Sequence, residues 1–111
     1  MAYDEDLAHR VREQLAGEAG VSEKAMFGGL AFLLHGHMTV SVAGRGGLML
    51  RVGPSAAQDA LARAHTEQVE MRGRPMPGWI RIAPEGVKTN RQLSAWVHRG
   101  VEFARTLPPK G

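Results

Sequence analysis

The fold of this chain depends on the segment KAMFGGLAFLLHG, Lys24–Gly36, in which two adjacent glycines interrupt a run of apolar residues. Glycine inside a strand is costly, because it loses the most backbone entropy on ordering and has no side chain to pack. Three explanations for Gly28 and Gly29 compete: a backbone cradle for a ligand, a bulge in a strand, and a family signature. The apolar run predicts a central strand over 25–34, buried on both faces, that bends or bulges at the two glycines or lets another backbone lie close against it there.

The composition predicts one soluble, cytoplasmic domain over residues 1–111. The hydrophobic content of 43% is enough for one continuous core. The sequence contains no cysteine, which excludes disulfides and thiolate metal sites and fits a reducing compartment. The charged N-terminus does not have the pattern of a signal peptide, and no apolar run approaches the roughly 20 residues of a membrane span.

Charge is distributed unevenly along the chain, whose net charge is +3. Residues 1–23 contain six acidic side chains and two arginines, whereas the remainder contains twelve basic and five acidic side chains. A basic body is compatible with an anionic partner, including nucleic acid. A solvated surface with incidental arginines explains the same distribution.

Hydrophobic periodicity predicts three helices and five strands. Apolar residues at every fourth position predict a first helix over 3–19, and alternation predicts strands over 37–43 and 47–52, with Met38 facing the same way as Val40. The remaining predictions are a helix from 54, a strand over 67–71, a loop over 72–78, a strand from 79 and a helix that ends before Pro108.

Two Ser/Thr-x-x-Gln spacings, Ser55 with Gln58 and Thr89 with Gln92, predict capping boxes at the starts of the second and third helices. The resulting order is α-β(3)-α-β(2)-α, with an antiparallel sheet and helices mainly on one face. This is an α+β fold class.

The residues that usually carry catalysis do not form a recognisable motif. His35 and His37 flank a hairpin glycine, but the other histidines fall on separate predicted elements and no cysteine supplies a third metal ligand. The serines lack the Gly-x-Ser-x-Gly context of a nucleophile elbow, and the glycines lack the spacing of a P-loop or a dinucleotide fingerprint. We therefore expect no catalytic residues, no metal, no cofactor and no small-molecule substrate.

Arginines near the end of the predicted sheet suggest a nucleic-acid contact. Arg72, Arg74 and Arg81 lie close in sequence to Trp79, whose ring either has an exposed face or belongs to a half-buried sheet residue. Arginine beside an aromatic ring can hold a phosphate while a base stacks on the ring. The sequence does not have the pattern of a helix-turn-helix, a zinc finger or an RNA-recognition domain.

The order of these segments resembles the N-terminal domain family of the competence regulator TfoX, also called Sxy. Three blocks carry the resemblance, and it covers nearly the whole chain. The first block contains Lys24, Met26, Phe27, Gly28 and Gly29. The second contains Leu48, Leu50, Arg51 and Val52, and the third contains Met76, Gly78 and Trp79.

The resemblance implies a two-layer α-β(3)-α-β(2)-α sandwich similar to type III secretion chaperones. It also implies a regulatory or scaffolding role through protein contacts, because no catalytic residues are associated with the family. Characterised TfoX proteins carry a second, C-terminal domain, so we expect this chain to be a stand-alone N-terminal domain.

Two functional hypotheses follow. The first is a non-enzymatic module that self-associates or binds another protein through a sheet face or an edge strand. The second is a small basic regulator that binds nucleic acid through Arg72, Arg74 and Arg81.

Overall fold

The computed structural model describes residues 3–26, 28–44 and 46–108, with the backbone alone at Met71. Phe27 of the family motif lies outside the described residues. The elements are α1 Glu5–Gln14, β1 Val21–Met26, β2 Gly29–Leu34, β3 His37–Val42, β4 Leu48–Arg51, α2 Pro54–Leu61, β5 Thr66–Met71, β6 Arg74–Ile82, a 3-10 turn Pro84–Val87 and α3 Asn90–Ala104. The predicted α+β fold class is confirmed.

The six strands form one antiparallel sheet in the order β1-β2-β3-β4-β6-β5. The first four strands follow one another as a meander. The chain then crosses through α2 to the far edge, and β6 returns between β5 and β4. Consequently β1 and β5 are the two edge strands of the described sheet.

Four strands precede α2, so the prediction of three was wrong, and the order is α-β(4)-α-β(2)-α. The two glycines do not interrupt one strand. Met26 ends β1 and pairs directly with Gly29, the first residue of β2, so the chain reverses between them. Gly28 has a φ of +75°, which glycine adopts without the steric cost that a side chain would bring. The apolar run is therefore a hairpin, and only β2 is largely buried.

Gly29 has a separate steric role at the start of β2. A Cβ atom at this position would lie 2.1 Å from the backbone carbonyl oxygen of Val42 on β3. A side chain cannot be accommodated without moving one backbone away from the other. The second glycine of the pair thus permits close approach of β2 to β3.

A bulge in β3 overturns the prediction that Met38 shares a face with Val40. Phe32 pairs with Val40, but the next residue of β2, Leu33, pairs with Met38, so Thr39 is an extra residue. The extra residue shifts the alternation by one position. Thr39 is buried on the helix side, where a Cβ at Gly100 of α3 would lie 3.2 Å from its methyl group, and Met38 shares the opposite face with Leu33.

All three helices pack against the same face of the sheet and build one core. The strands contribute Leu30, Phe32, Leu34, Val40, Val42, Leu48, Leu50, Ile80 and Ile82 to this cluster. The helices contribute Leu7, Ala8, Val11, Ala57, Ala60, Leu93, Trp96, Val97, Val101 and Ala104. A fully buried Leu, Ile or Phe contributes about 1.5–3 kcal/mol to stability, so this cluster is the main source of stability.

The helix starts show which of the capping predictions were right. Thr89 and Gln92 form the predicted capping box: the hydroxyl accepts from the Gln92 backbone N–H at 3.1 Å, and the Gln92 amide oxygen accepts from the Thr89 N–H at 3.0 Å. The box at Ser55 was wrong, because Ser55 lies inside α2, which starts at Pro54 as predicted and whose N-cap Gly53 makes no side-chain cap. Proline in the first turn supplies a suitable φ and has no N–H to satisfy.

Two other boundaries differ from the sequence prediction. Helix α1 ends at Gln14 instead of residue 19, because Leu15 is the last buried residue of its stripe and the exposed residues after it gain no core contact. The expected loop over 72–78 is mostly strand. Arg72 and Gly73 adopt φ values of +54° and +77° and form a tight hairpin turn, so β6 already begins at Arg74.

An ion pair fastens the edge strand β1 to α1. The Arg12 guanidinium donates two hydrogen bonds to the Glu23 carboxylate, at 2.7 and 2.8 Å, and lies 5.9 Å from the centroid of the Phe32 ring. These hydrogen bonds raise the pKa of Arg12 and lower the pKa of Glu23. The pair therefore favours the charged form of each partner.

Gly29→Ala is expected to lower the free energy of unfolding by about 1–3 kcal/mol, because the new methyl group separates β2 from β3. Gly17→Ala is the matched control, since a Cβ there meets no atom within 4 Å. Urea unfolding of both variants measures the difference. Equal stability of the two variants would contradict the assigned role of Gly29.

Glu23→Gln is expected to reduce stability at neutral pH and to lose its effect in acid. The folded-state pKa of Glu23 is lowered, so the stabilisation is complete above its ordinary pKa of about 4.3 and disappears as the pH falls through the folded-state value. Urea unfolding at a series of pH values down to about 3 measures this convergence. Glu70→Gln on β5 controls for removal of one exposed carboxylate. A stability difference independent of pH would exclude the pair as its cause.

Candidate functional site

The face of the sheet turned away from the core carries a second set of side chains, which we call the open face. Its members include Lys24 on β1, Ala31 and Leu33 on β2, Met38 and Ser41 on β3, Met49 and Arg51 on β4, Glu67 and Val69 on β5, and Trp79 and Arg81 on β6. Every buried apolar side chain of the described helices belongs to the core cluster on the other face. Within the described residues, no helix layer covers the open face.

One row of directly paired residues crosses the open face from edge to edge. Successive cross-strand partners in this row are Lys24, Ala31, Ser41, Met49, Arg81 and Glu67. Lys24 and Glu67 are exposed and carry opposite charges at the two edges. The row is therefore positive at one end, negative at the other and small or apolar at its centre.

Arg81 is bonded within the sheet, and its side chain is only 17% exposed. Its Nη2 donates to the carbonyl oxygen of Gly46 at 2.8 Å, and its Nε lies 3.3 Å from Oε1 of Glu67. These contacts join β6 to the loop before β4 and to the edge strand β5. The arginine thus has a structural role, and its charge is balanced by a carboxylate of the same face.

The structure does not bring the three candidate nucleic-acid arginines together. Arg72 and Arg74 are exposed at the tip of the β5–β6 hairpin, whereas Arg81 pairs with Glu67 near the other end of β5. Arg74 pairs with Met71, four residues from Glu67, which is about 13 Å along a strand. The antiparallel pairing of β5 with β6 causes this separation.

Of the two interpretations of Trp79, the exposed face for a base was wrong, because the structure places Trp79 as a buried residue of the sheet. Its relative exposure is 9%, and it pairs with Arg51 of β4 on the open face. Val69 of β5, at 7%, is likewise buried outside the core cluster. Trp79 therefore serves as a packed residue of the sheet, and a base cannot stack on its ring without displacing its neighbours.

Gly78, which precedes Trp79 in the family motif, positions the start of α2. Its φ is +85°, and a Cβ there would lie 3.0 Å from the backbone nitrogen of Pro54. Its carbonyl oxygen accepts hydrogen bonds from the N–H groups of Val52 and Gly53, at 2.8 and 3.1 Å. The motif glycine thus lets the chain before α2 lie directly on β6.

The histidines of the predicted hairpin occupy separate structural positions. The His35 ring stands over Gly20, where an added Cβ would lie 2.5 Å from it, and Nε2 of His37 lies 2.6 Å from the carbonyl oxygen of Pro108. Across the described residues, no three His, Cys, Asp or Glu side chains are grouped so as to hold a metal ion. Within the same ranges, none of the helices has the length and apolar content that a bilayer span requires.

A shallow cleft lies between α1 and α3. It is lined by Gln14, Glu18, Ser94, Val97, His98 and Val101, and its volume is about 80 Å³. Sites for small organic ligands commonly occupy about 300–1,000 Å³. The cleft therefore does not have the size of a substrate pocket.

The sequence predicted a sheet face or an edge strand as the binding surface, but it did not identify the residues of the open face as a group. Leu33 and Met49 are apolar residues at positions that point away from the core, and both are only partly buried. A sheet with one solvated face would place polar residues there. The edge-to-edge row was not detectable, because it requires the spatial order of strands that are distant in sequence.

Arg81→Met is expected to lower the free energy of unfolding by about 1–3 kcal/mol, because the Gly46 carbonyl and Glu67 lose a charged donor. Arg72→Met and Arg74→Met remove the same group from the exposed hairpin tip and should each change stability by less than about 0.5 kcal/mol. Thermal or urea unfolding measures all three. Equal effects at the three positions would contradict the structural role of Arg81.

The sequence that forms this sheet and two of its helices matches a known domain family. Residues 13–104 match the TfoX N-terminal domain, and this span contains all six strands, α2 and α3. A search of curated proteins found no match to the chain. The resemblance inferred from the Met-Phe-Gly-Gly block and the later strands is thereby confirmed. The chain belongs to the TfoX N-terminal domain family.

Proposed function

We propose that this chain is a non-enzymatic, regulatory protein-interaction module of the cytoplasm that binds its partner through the open face. The observation that carries the proposal is the group of apolar side chains at the centre of that face. Leu33, Met38 and Met49 are partly exposed there, although they lie on a sheet whose other face is fully packed.

The dimensions of the open face support an interaction surface. Six strands spaced about 4.8 Å apart, with about six residues each at about 3.3 Å per residue, give a face of roughly 600 Å². Ala31, Ser41, Val69 and Trp79 of this face are buried, and its exposed apolar surface comes from Leu33, Met38 and Met49. Each 100 Å² of apolar surface removed from water contributes roughly 2.5 kcal/mol before the costs of association.

The α1–α3 cleft, at about 80 Å³, is smaller than the sites that small organic ligands commonly occupy. The displaced pKa values of Arg12 and Glu23 arise from their mutual hydrogen bonds on the helix side of the sheet. The absence of cysteine is compatible with a cytoplasmic location.

Met49→Lys is expected to reduce capture of the partner at least tenfold, because it places a charge at the centre of the apolar group. Ala95→Lys adds the same charge to an exposed position on α3 and should leave capture unchanged. Quantitative affinity capture from the native cell with wild type and both variants measures this difference, after thermal unfolding confirms that each variant is folded.

Equal capture by Met49→Lys would contradict the proposal. The proposal would also be contradicted if the captured partner were nucleic acid. In that case salt would release the nucleic acid, and an Arg72→Ala/Arg74→Ala variant would no longer bind it. Phosphate contacts release counterions, so such binding falls steeply as the salt concentration rises. That result would favour the hypothesis of a nucleic-acid-binding regulator.

A further inference from the structure

We infer that the partner of the open face is a second copy of this chain, packed face to face about a two-fold axis parallel to the strands. This inference rests on the proposed role of the open face. The axis passes between β3 and β4, the middle of the six-strand sheet. It places β1 of each copy over β5 of the other, as the isologous interface of a symmetric dimer requires.

The charges at the ends of the cross-strand row select this axis. Lys24 lies at the β1 edge and Glu67 at the β5 edge, on the same row. Rotation about an axis parallel to the strands places Lys24 of each copy over Glu67 of the second copy, and the contact occurs twice. A two-fold axis across the strands would instead stack Lys24 on Lys24 and Glu67 on Glu67, which is repulsive.

Side-chain size along the row selects the same axis. The half near β1 carries the small residues Ala31 and Ser41, and the half near β5 carries the long residues Met49 and Arg81. The rotation brings Met49 over Ser41 and Arg81 over Ala31 of the second copy. Ala31 and Ser41 are already buried within their own copy, at 0% and 3% exposure, so the long side chains pack over them within the roughly 10 Å between facing sheets.

The existing contacts of Glu67 and Arg81 are compatible with this arrangement. Oε1 of Glu67 accepts from Arg81 of its own copy, and the side chain of Glu67 is 67% exposed. A carboxylate has two oxygens and can accept from several donors, so the second oxygen can accept from the ammonium group of Lys24. Arg81 retains its bonds to Gly46 and Glu67, and its charge therefore stays paired inside the dimer.

Edge-to-edge pairing explains the exposed charges less well. Antiparallel pairing of two β1 strands that keeps the helices on one side and is centred on residue 23 or 24 would place Glu23 opposite Glu23 or Lys24 opposite Lys24. Charged residues at such positions are a common means of preventing edge pairing. In these registers the strand edge disfavours self-association, whereas the opposite charges at the two ends of the row favour it on the open face.

The buried area indicates a reversible dimer. Ala31, Ser41, Val69 and Trp79 are already buried in one copy, so two faces of roughly 600 Å² in plan remove less than about 1,200 Å² from water, which is below the usual range of stable interfaces. We therefore expect the protein to change from about 12 kDa to about 24 kDa as its concentration rises. Sedimentation equilibrium measures this transition.

Cysteine cross-linking tests the axis directly, because the natural sequence contains no cysteine. Lys24→Cys and Glu67→Cys are prepared separately and then mixed with a short bismaleimide. The mixture should give a cross-linked dimer. Each variant alone should stay uncrosslinked. Positions 24 and 67 are five strand spacings apart, about 24 Å, in one sheet. Position 24 of one copy lies over position 67 of the other, so the two positions 24 of a dimer are also about 24 Å apart.

Charge reversal provides a second test without cross-linking. Lys24→Glu alone should weaken the dimer roughly tenfold, since each of its two contacts becomes a pair of like charges. Glu67→Lys alone should also weaken it. A mixture of the two variants should restore the affinity, because both contacts then join opposite charges. The double variant should restore it as well.

The outcomes separate this inference from the proposed function. One outcome is a chain that stays monomeric at about 100 μM, far above a micromolar dissociation constant, but loses capture of another protein when Met49 is changed to Lys. This result would overturn the inference that the partner is a second copy, and it would support the open face as a binding surface. A cross-link between the two positions 24 of a dimer, or a dimer whose affinity does not change on charge reversal, would contradict the two-fold axis parallel to the strands. Cross-linking of 24 with 67, together with rescue in the mixture, supports the dimer as described.

Discussion

The close contact of α3 with the centre of the sheet is the constraint on which the rest of this structure depends. Gly100 faces β3 and β4, where an added Cβ would lie 2.6 Å from Cδ1 of Leu50 and 3.2 Å from the methyl group of Thr39. The missing side chain lets the longest helix lie directly on the strands and bury its apolar stripe. Because all three helices then share one face, the other face of the sheet has no helix layer among the described residues.

The residues that identify the family divide into structural and surface roles. Gly29 and Gly78 each permit a close backbone approach, one between strands and one beneath the start of α2. Trp79 is packed in the sheet. Lys24 differs from these residues, since it is exposed at an edge and takes no part in the core. A motif shared by a family can therefore contain residues that the fold requires and, at one position, a residue that lies on an exposed surface available for binding.

The open face combines features that a solvated sheet would not need. The residues at its centre are mostly apolar or small, with Arg51 beside them on β4, and Arg81 and Glu67 towards the β5 edge neutralise each other. Water would hydrate a polar face at no cost, whereas exposed Leu33 and Met49 keep apolar surface in contact with water. Covering this surface would complete a second layer, as in proteins built from two packed sheets.

Local chemistry allowed the sequence alone to determine much of the fold. Alternation located most of β3 and β4, helical spacing and the Thr89–Gln92 cap located α3, and the glycine block indicated the family. These features depend on neighbours within a few residues, so a single sequence contains them. A glycine pair, however, is equally compatible with a bulge and a turn, which is why one strand was predicted where Gly28 reverses the chain.

Only the tertiary structure decided which distant residues meet. The extra residue Thr39 changed the face of Met38 through its pairing with β2, and the return of β6 between β4 and β5 separated Arg81 from the arginines at the hairpin tip. The same strand order set Lys24 and Glu67 at opposite ends of one row. Such relations arise from hydrogen bonding between strands far apart in sequence. Local patterns in the sequence therefore do not specify them.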